Sequence, residues 1–370
     1  LTYYIRPVLG VSDQLTQAYL TTEFREDKGI FLIKNLFSAD FPGRLVFLAS
    51  SEKITSFTGH RGEFLGAGDL KRPEALQREG LSGKTGFALD PCAALQVQLQ
   101  LQPGEEKELV FLLGQGLEYG AVKRMVREYR SLPNCRDALV KVKDYWEKIL
   151  GTIQVETPDL SLNLMINRWL LYQIIVCRLW GRSAFYQAGG AYGFRDQLQD
   201  ALNCLYVSPE ITRKQLLLHG SRQFIEGDVQ HWWHPDLDER GVRTKFSDDL
   251  LWLPYVTAEY LEQTGDYQIL HVLVPFLVGE PLAEDQAEKY GPAQVSTEKA
   301  SLYEHCLRAI RRSLRFGKHG LPLIGSGDWN DGFSNVGTQG QGESVWLGWF
   351  LYNILMRFIP ICEKMGDPVQ

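Results

Sequence analysis

The first third of the chain consists of short runs in which apolar and polar residues alternate. Gly, Pro and Asp separate the runs, which is typical of β-strands joined by tight turns. The clearest runs cover residues 1–5, 29–33, 44–48, 94–101 and 108–113. Several short strands at regular spacing favour a β-sandwich, so we predict one over residues 1–118. Because the chain opens almost directly in a strand-like run, we expect this sandwich to lack its first strands.

From about residue 120 the apolar positions follow the 3.6-residue period of helices. We predict a helical linker over residues 119–157 and a helical catalytic domain over residues 158–370. Within that domain the pattern predicts helices, and no strands, at residues 160–180, 196–206, 209–226, 247–264, 266–276, 297–317 and 343–364. The predicted fold class is therefore α+β multidomain, with an N-terminal β-sandwich, a helical linker and an (α/α)6 toroid barrel. Since about seven helices fall short of six hairpins, we expect the barrel to be incomplete at the C-terminus.

Composition excludes several functional classes. The chain has 370 residues, of which 44% are hydrophobic and 23% charged, as in ordinary globular proteins. A net charge of −6 gives no basic surface for nucleic acid or for an anionic membrane. The six cysteines lack metal-type spacing, which favours free thiols in a reducing compartment. The apolar run 169–180 is short and polar in places, so we expect no membrane span.

One glycine-rich loop, residues 325–332, concentrates polar chemistry. It holds Asp328, Trp329, Asn330 and Asp331 among three glycines. Such a set suits a sugar, because carboxylates accept hydroxyl hydrogen bonds, an indole covers a ring face and one acid can protonate a leaving oxygen. The alternative is an ordinary turn with Asx caps, since Gly, Asn and Asp dominate turns.

A second loop has the same character. Tyr186 and Gln187 precede a run of glycines that leads into Arg195, Asp196 and Asp200 at the start of a predicted helix. The two acids are four residues apart and share a helical face. Arg195 can hold a carboxylate, a phosphate or vicinal hydroxyls with its planar fork. A first-turn acid that favours the helix dipole would explain Asp196 alone, but not the whole set.

Three further segments carry candidate residues. His231, Trp232, Trp233 and His234 suit a sugar platform with polar rims; a metal site or a buried Trp pair are the alternatives. Asp248 and Asp249 lie in the first turn of a predicted helix, where capping and dipole effects would also explain them. Glu343 opens the last predicted helix, near the 325–332 loop in sequence. No metal or organic cofactor is predicted.

Five motifs together give a resemblance that covers nearly the whole chain. They are YQAGGAYGFRDQLQD (186–200), EGDVQHWWHP (226–235), SDDLLWLP (247–254), GSGDWNDG (325–332) and GESVWLGWF (342–350). In this order they resemble the inverting glycoside phosphorylases of glycoside hydrolase family 94, such as cellobiose and chitobiose phosphorylases. The loops are most similar to the phosphorylase-like region of cyclic β-1,2-glucan synthases. The resemblance implies a β-sandwich, a helical linker and an (α/α)6 barrel.

The resemblance also implies roles for single residues. Asp331 matches the family's general acid, and Trp329, Arg195 and Asp200 match positions that hold the sugar on the non-reducing side of the cleaved bond. Asp196 lies beside them, and the choice between Asp196 and Asp200 stays open. The family's phosphate site includes a His and a Thr-Gly pair that this chain lacks. We therefore expect the remaining phosphate ligands beyond residue 370, with Arg195 as the candidate within the chain.

The implied reaction is inverting phosphorolysis of a β-linked glucan that releases α-glucose 1-phosphate. Phosphate is already a nucleophile at neutral pH, so one acid suffices. Hydrolysis would need a second carboxyl group roughly 6.5–9.5 Å away. We expect desolvation by Trp329 and repulsion from Asp328 to keep Asp331 protonated. A free disaccharide phosphorylase and a non-catalytic glycan-binding or chain-length module remain alternatives.

The expected partners are a β-glucan oligosaccharide and inorganic phosphate, without nucleic acid or membrane contact. A homodimer remains open. The expected location is the cytoplasm. The alternative is that the chain forms the cytoplasmic part of a larger membrane-bound synthase.

Overall fold

The computed structural model describes residues 1–10, 12–37, 43–181, 190–235 and 239–367. The chain forms two compact units, Leu1–Tyr145 and Trp146–Gln370. The boundary between them falls inside a long helix, Leu132–Leu150, within the predicted linker.

The first unit contains two antiparallel sheets. Its strands are β1 (Thr2–Ile5), β2 (Leu20–Arg25), β3 (Ile30–Asn35), β4 (Leu45–Ser50), β5 (Ser56–His60), β6 (Pro91–Gln96) and β7 (Phe111–Gly116). One sheet has the order β2-β3-β4-β7 and the other β1-β6-β5. Its helices are α1 (Asp13–Thr16), α2 (Arg61–Leu65), α3 (Tyr119–Tyr129) and most of α4 (Leu132–Leu150). Each of the five predicted strand regions overlaps a strand, although 94–101 and 108–113 do so only in part, and β2 and β5 were not predicted.

Strand β3 shows why these residues form a layered structure. Successive side chains of a strand point to opposite faces. Phe31 and Ile33 therefore pack against the other sheet, beside Leu95 of β6. Ile30 and Leu32 point the other way and pack with Val122 and Val126 of α3. Since both faces are covered, Ile30, Phe31, Leu32 and Ile33 are all buried.

The second unit packs helices around one main core. The chain from Leu160 to Trp180 is continuously helical, with α5 (Leu160–Leu164) and α6 (Leu170–Gln173) joined and extended by π-helical turns. The later helices are α7 (Phe194–Leu202), α8 (Pro209–Gly220), α9 (Trp252–Thr264), α10 (Leu302–Ser313) and α11 (Val345–Lys364). Helix α9 contacts α7, α8, α10 and α11. In the part of the chain that the structure describes, these helices do not close a barrel, so the coarser prediction of a helical domain is confirmed and the toroid is not.

The prediction of a second unit without strands is wrong. Strands β8 (Tyr192–Gly193), β9 (Gln230–Trp233), β10 (Gly241–Thr244) and β12 (Glu288–Gly291) form one sheet, and β11 (Leu273–Val278) pairs with β13 (Gln294–Ser301). The predicted helix 266–276 is a 3₁₀ turn, Tyr267–His271, followed by β11. Pro275 lacks the N–H that a helix interior needs, and its neighbours Val274 and Phe276 are residue types enriched in strands. The short strands β8, β9, β10 and β12 have too few residues for a periodic signal.

Two helices are long and apolar enough to cross a membrane by length and composition alone. They are Leu160–Trp180 and Val345–Lys364, with 6% and 39% of their most apolar windows buried. The expectation of no membrane span considered only the run 169–180, whereas the first of these helices covers 21 residues. The helix begins at Leu160, where Asp159 caps it. Core helices of soluble proteins meet the same criterion of length and composition.

Candidate active site

The 325–332 loop and the start of α7 meet at one buried guanidinium. The side chain of Arg195, on the first turn of α7, is only 7% exposed. Its Nη2 donates to Asp331 Oδ1 at 2.7 Å, and its Nη1 donates to Asp248 Oδ2 at 3.2 Å and to the backbone oxygen of Asp328 at 3.2 Å. Three segments that are far apart in sequence therefore converge on one side chain.

The charge of Arg195 is held by its acidic neighbours. Burial by itself lowers the pKa of Arg195, but the charges of Asp248, Asp249 and Asp331 raise it by more. Burial raises the pKa of Asp248, and the adjacent Asp249 raises it further, against the opposing charge of Arg195. Trp252 Nε1 donates to Asp248 at 3.1 Å and completes its contacts. Asp248 is therefore a fully enclosed partner of Arg195 rather than a group open to substrate.

Asp331 and Trp329 are the open side of this cluster. The Asp331 side chain is 58% exposed, and Trp329 is 52% exposed. The expected apolar cover over Asp331 is therefore wrong for this structure. The expected repulsion from Asp328 is weakened too, because its carboxylate accepts bonds from Ser344 Oγ at 2.6 Å and from the N–H of Asn330 at 3.0 Å. The loop therefore exposes the Asp331 carboxylate together with the side chains of Trp329 and Asn330.

A second pair extends the cluster inward. His231 Nδ1 donates to Asp249 Oδ2 at 2.7 Å, and the His231 ring stacks on Phe246 with centroids 4.7 Å apart and planes at 6°. Burial lowers the pKa of His231, but the Asp249 carboxylate raises it by more, so it ends above its usual value. Because Asp248 and Asp249 are adjacent in the chain, this pair lies next to the Arg195 contacts.

The predicted aromatic segment 231–234 is split between two sides of β9. Trp233 is completely buried near His219, so the buried-Trp alternative holds for this residue. Trp232 and His234 lie on the other side of the strand against Tyr290, whose hydroxyl is 3.2 Å from His234 Nδ1. A shared metal site for His231 and His234 is thereby excluded, since the two rings have different neighbours.

The remaining predicted residues have other contacts or lie outside the described part of the chain. Asp200 accepts a bond from Arg178 Nε at 2.9 Å, and Asp196 is half-buried in the first turn of α7. Glu343 accepts bonds from the backbone N–H and the ring of His319, both at 2.8 Å, in the segment that precedes the 325–332 loop. Tyr186 and Gln187 lie outside the described residues.

Three residues that contact the candidate site were not predicted from the sequence: Phe246, Trp252 and Ser344. Trp252 follows Asp248 by four residues, the spacing at which side chains meet on a helix. Ser344 precedes an apolar run, which is the signal of a helix N-cap. Phe246 carried no such signal, because only the fold brings its ring onto His231.

Two family models match the chain. A model described as the glycosyl hydrolase 94 superfamily catalytic domain matches residues 145–370. A model described as the glycosyl hydrolase 94 supersandwich domain matches residues 1–132. The two matches cover both compact units.

Curated relatives of named activity are similar over most of the chain. The cyclic β-(1,2)-glucan synthase NdvB of Rhizobium meliloti is 43% identical over 98% of the chain, and the N,N'-diacetylchitobiose phosphorylase of Vibrio proteolyticus is 29% identical over 88%. The 1,2-β-oligoglucan phosphorylase of Listeria innocua is 27% identical over 55% of the chain. The chain spans 13%, 41% and 19% of the lengths of these three proteins.

Proposed function

The chain belongs to the glycosyl hydrolase 94 superfamily, and we propose that it carries out inverting phosphorolysis of β-linked glucans, with β-1,2-linked glucose chains as substrate. The products are α-glucose 1-phosphate and a glycan shorter by one unit. The observation that carries the proposal is the exposed carboxylate of Asp331, held by the buried Arg195, in the same loop as the exposed indole of Trp329. Two relatives whose names contain β-1,2 linkages support the choice of linkage.

The proposed chemistry needs one proton donor from this chain. Asp331 donates its proton to the interglycosidic oxygen while the bond from that oxygen to the anomeric carbon breaks. A phosphate oxygen forms the new bond to the anomeric carbon from the opposite face, which inverts its configuration. The leaving glycan departs with the proton as a hydroxyl group, and Asp331 is left ionised. Phosphate is the only co-substrate, and no cofactor is required.

The surrounding carboxylates favour phosphorolysis over hydrolysis. An inverting hydrolase needs a second carboxylate free to activate water. Asp248 and Asp249 are buried and bonded to Arg195 and His231, and Asp328 is bonded to Ser344. Among the described residues, these neighbours of Asp331 are all engaged. An anionic nucleophile that brings its own charge fits this site better than water.

The ion pair between Arg195 and Asp331 must loosen before the acid can hold a proton. Arg195 remains fixed by Asp248 and by the backbone oxygen of Asp328 when that happens. We infer that a bound sugar covers Trp329, excludes water from Asp331 and takes up the freed Nη2 donor with a hydroxyl group. Lower polarity around a carboxyl group favours its protonated form. Substrate binding would thereby prepare the acid.

The test is the Asp331→Asn variant of the protein at its full natural length. Glucose 1-phosphate release from β-1,2-glucan should fall about 10²- to 10⁴-fold, the usual contribution of a general acid. An aryl glucoside with an acidic phenol as leaving group should be affected much less, because its oxygen needs no proton. Asp144→Asn, an exposed acid on α4, is the control. Full activity of Asp331→Asn on the glucan would remove Asp331 from this role.

A second candidate function is a non-catalytic module that binds glycan or gauges its length. It is favoured by the 43% identity to a synthase of which the chain spans only 13%. Binding of β-1,2-glucan without any phosphorolysis by the full-length protein would support it. Preference for cellobiose over β-1,2-linked chains would instead indicate a disaccharide phosphorylase.

We also infer that the helices belong to an (α/α)6 ring and that the protein acts in the cytoplasm.

A further inference from the structure

A cavity of about 750 Å³ lies in the second unit beside the candidate active site. We call it the loop cavity. It is lined by residues from the end of β10 and the following turn, the segment 281–287, the end of α10 and the 323–340 region. Arg195, Asp248 and Asp331 are not among its lining residues. The loop cavity is therefore a separate space and not the cluster described above.

A thin wall separates the loop cavity from the catalytic cluster. The backbone of Phe246 bridges to Gly325 and Gly327, and Ser247 donates from its N–H and its hydroxyl to the oxygen of Gly327, at 3.0 and 3.1 Å. Phe246 lines the cavity, while its ring also stacks on His231 of the cluster. One layer of residues thus contacts both spaces.

Glycines fix the shape of this wall. A Cβ on Gly325 would lie 1.9 Å from the backbone oxygen of Lys245, and one on Gly337 would lie 1.8 Å from the oxygen of Gly325. Gly325 also has φ +65°, which side chains rarely adopt. These close approaches fold the 325–340 region back on itself. The region that carries Trp329 and Asp331 therefore also supplies Ser334 and Thr338 to the cavity.

The lining of the cavity suits a neutral ligand with many hydroxyl groups. Hydroxyl groups of Ser334 and Thr338 lie among carboxylates, Glu284 and Asp285, and guanidinium groups, Arg312 and Arg315. Mixed charges of both signs favour neither a polyanion nor a lipid tail. They offer donors and acceptors, which a sugar chain can satisfy together. Pockets of about 300–1,000 Å³ hold drug-sized ligands, so the space exceeds one sugar ring.

We propose that the loop cavity binds the leaving-group side of an oligosaccharide, while the unit to be released lies against Trp329 and Asp331. The proposal rests on the proposed function and adds a preference for chains longer than a disaccharide. Both ends of such a chain would contact the same 325–340 region. The chain would pass along the exposed segment 332–336, which leads from Asp331 to Ser334 of the cavity, and not through the wall of Phe246 and Gly327.

Calorimetry with a β-1,2-linked pentasaccharide and the corresponding disaccharide tests the proposal. Two variants address the cavity: Ser334→Trp fills it, and the double variant Arg312→Ala/Arg315→Ala removes donors from it. In each, the ratio of pentasaccharide to disaccharide affinity should fall about tenfold. Arg311→Ala is the matched control and should leave the ratio unchanged, because Arg311 neighbours Arg312 on α10 but pairs with Glu304 and does not line the cavity. Circular dichroism confirms that each variant is folded.

The measurement does not depend on turnover, so it separates the two proposals. Suppose that the protein shows no phosphorolysis but binds the pentasaccharide more tightly than the disaccharide, and that both cavity variants reduce this difference. That result would overturn the proposed reaction and keep the cavity assignment. An unchanged ratio in both variants would overturn the cavity assignment, as would an equal loss for both sugars. The cavity assignment would also be overturned if the full-length protein bound both sugars with equal affinity. Equal affinity is the result expected if another part of a longer protein fills the cavity.

Discussion

At the residue scale, Arg195 is the side chain on which the candidate site depends. It joins an enclosed acid, Asp248, to an exposed one, Asp331. Removal of one partner from a buried ion pair costs about 3–5 kcal/mol, because the other charge is left uncompensated. The exposed half of the arrangement contributes far less to stability, since water screens it. The buried half therefore holds the guanidinium in place, and the proposed exchange of Asp331 for a sugar hydroxyl concerns only the exposed half.

The His231–Asp249 pair predicts a pH dependence of stability. The pKa of His231 is raised, so its contribution is complete below the ordinary histidine value and is lost as the pH rises through the raised one. His231→Gln keeps a donor but removes the charge, and it should cost about 1–2 kcal/mol at pH 5.5 and much less at pH 9. Denaturant unfolding of both proteins at the two pH values measures this.

Other histidines change the stability with pH in the opposite direction, so the effect of His231 is read from the difference between the variant and the parent protein. Burial lowers the pKa of His219 and of His305 to about 4, so their protonation destabilises the fold as the pH falls. His234→Gln is the control, since His234 contacts the hydroxyl of Tyr290. A cost for His231→Gln that is equal at both pH values would contradict the assigned charge.

At the element scale, the N-terminus of α11 is tied to the 325–332 loop by one hydroxyl group. Ser344 Oγ accepts the N–H of Leu347 as a helix cap and donates to Asp328 Oδ2 at 2.6 Å. Asp328 is 5% exposed, and its backbone oxygen accepts a bond from Arg195. The helix start thus helps to fix the position of the loop that carries Asp331.

Ser344→Ala should therefore cost more than the loss of an ordinary cap. A cap is worth about 1 kcal/mol, and a buried acceptor left without its donor costs about 1–3 kcal/mol more. Ser301→Ala removes the cap of α10, where Ser301 accepts from the N–H of Glu304, and is the matched control at about 1 kcal/mol. Equal losses in chemical denaturation would show that the bond to Asp328 contributes nothing.

At the scale of the whole molecule, each compact unit has its own core. Leu48 belongs to the core between the two sheets of the first unit, and Leu253 to the main helical core of the second. Both side chains are fully buried. A core that is complete within its unit can unfold as a separate cooperative step.

We expect calorimetry of the protein to resolve a transition for each unit. Leu48→Ala and Leu253→Ala should each remove about 2–5 kcal/mol from one unit, because a cavity replaces buried methyl groups. Each variant should lower the melting temperature of one transition and leave the other in place. Lys143→Ala, an exposed residue of α4, is the control. A single transition that both core variants lower equally would contradict separate cores.

The sequence by itself determined five of the seven strands described in the first unit, most helices of the second and the candidate site residues that the motifs contain. Alternation and the 3.6-residue period are local signals, because they depend only on which faces of an element are buried. The start of α7 at Phe194 and the cap of α11 at Ser344 are local in the same sense. The resemblance of the five motifs pointed to the family that the comparisons show.

Only the tertiary structure decided which of those residues meet. Arg195 reaches Asp248 and Asp331 across 53 and 136 residues of sequence, and no local pattern records such a contact. The tertiary structure also gave His231 different neighbours from Trp233 and His234, paired Asp200 with Arg178, and left Asp331 exposed. The contacts of a side chain are set by the packing of distant elements, so residue types name the candidates and the fold selects among them.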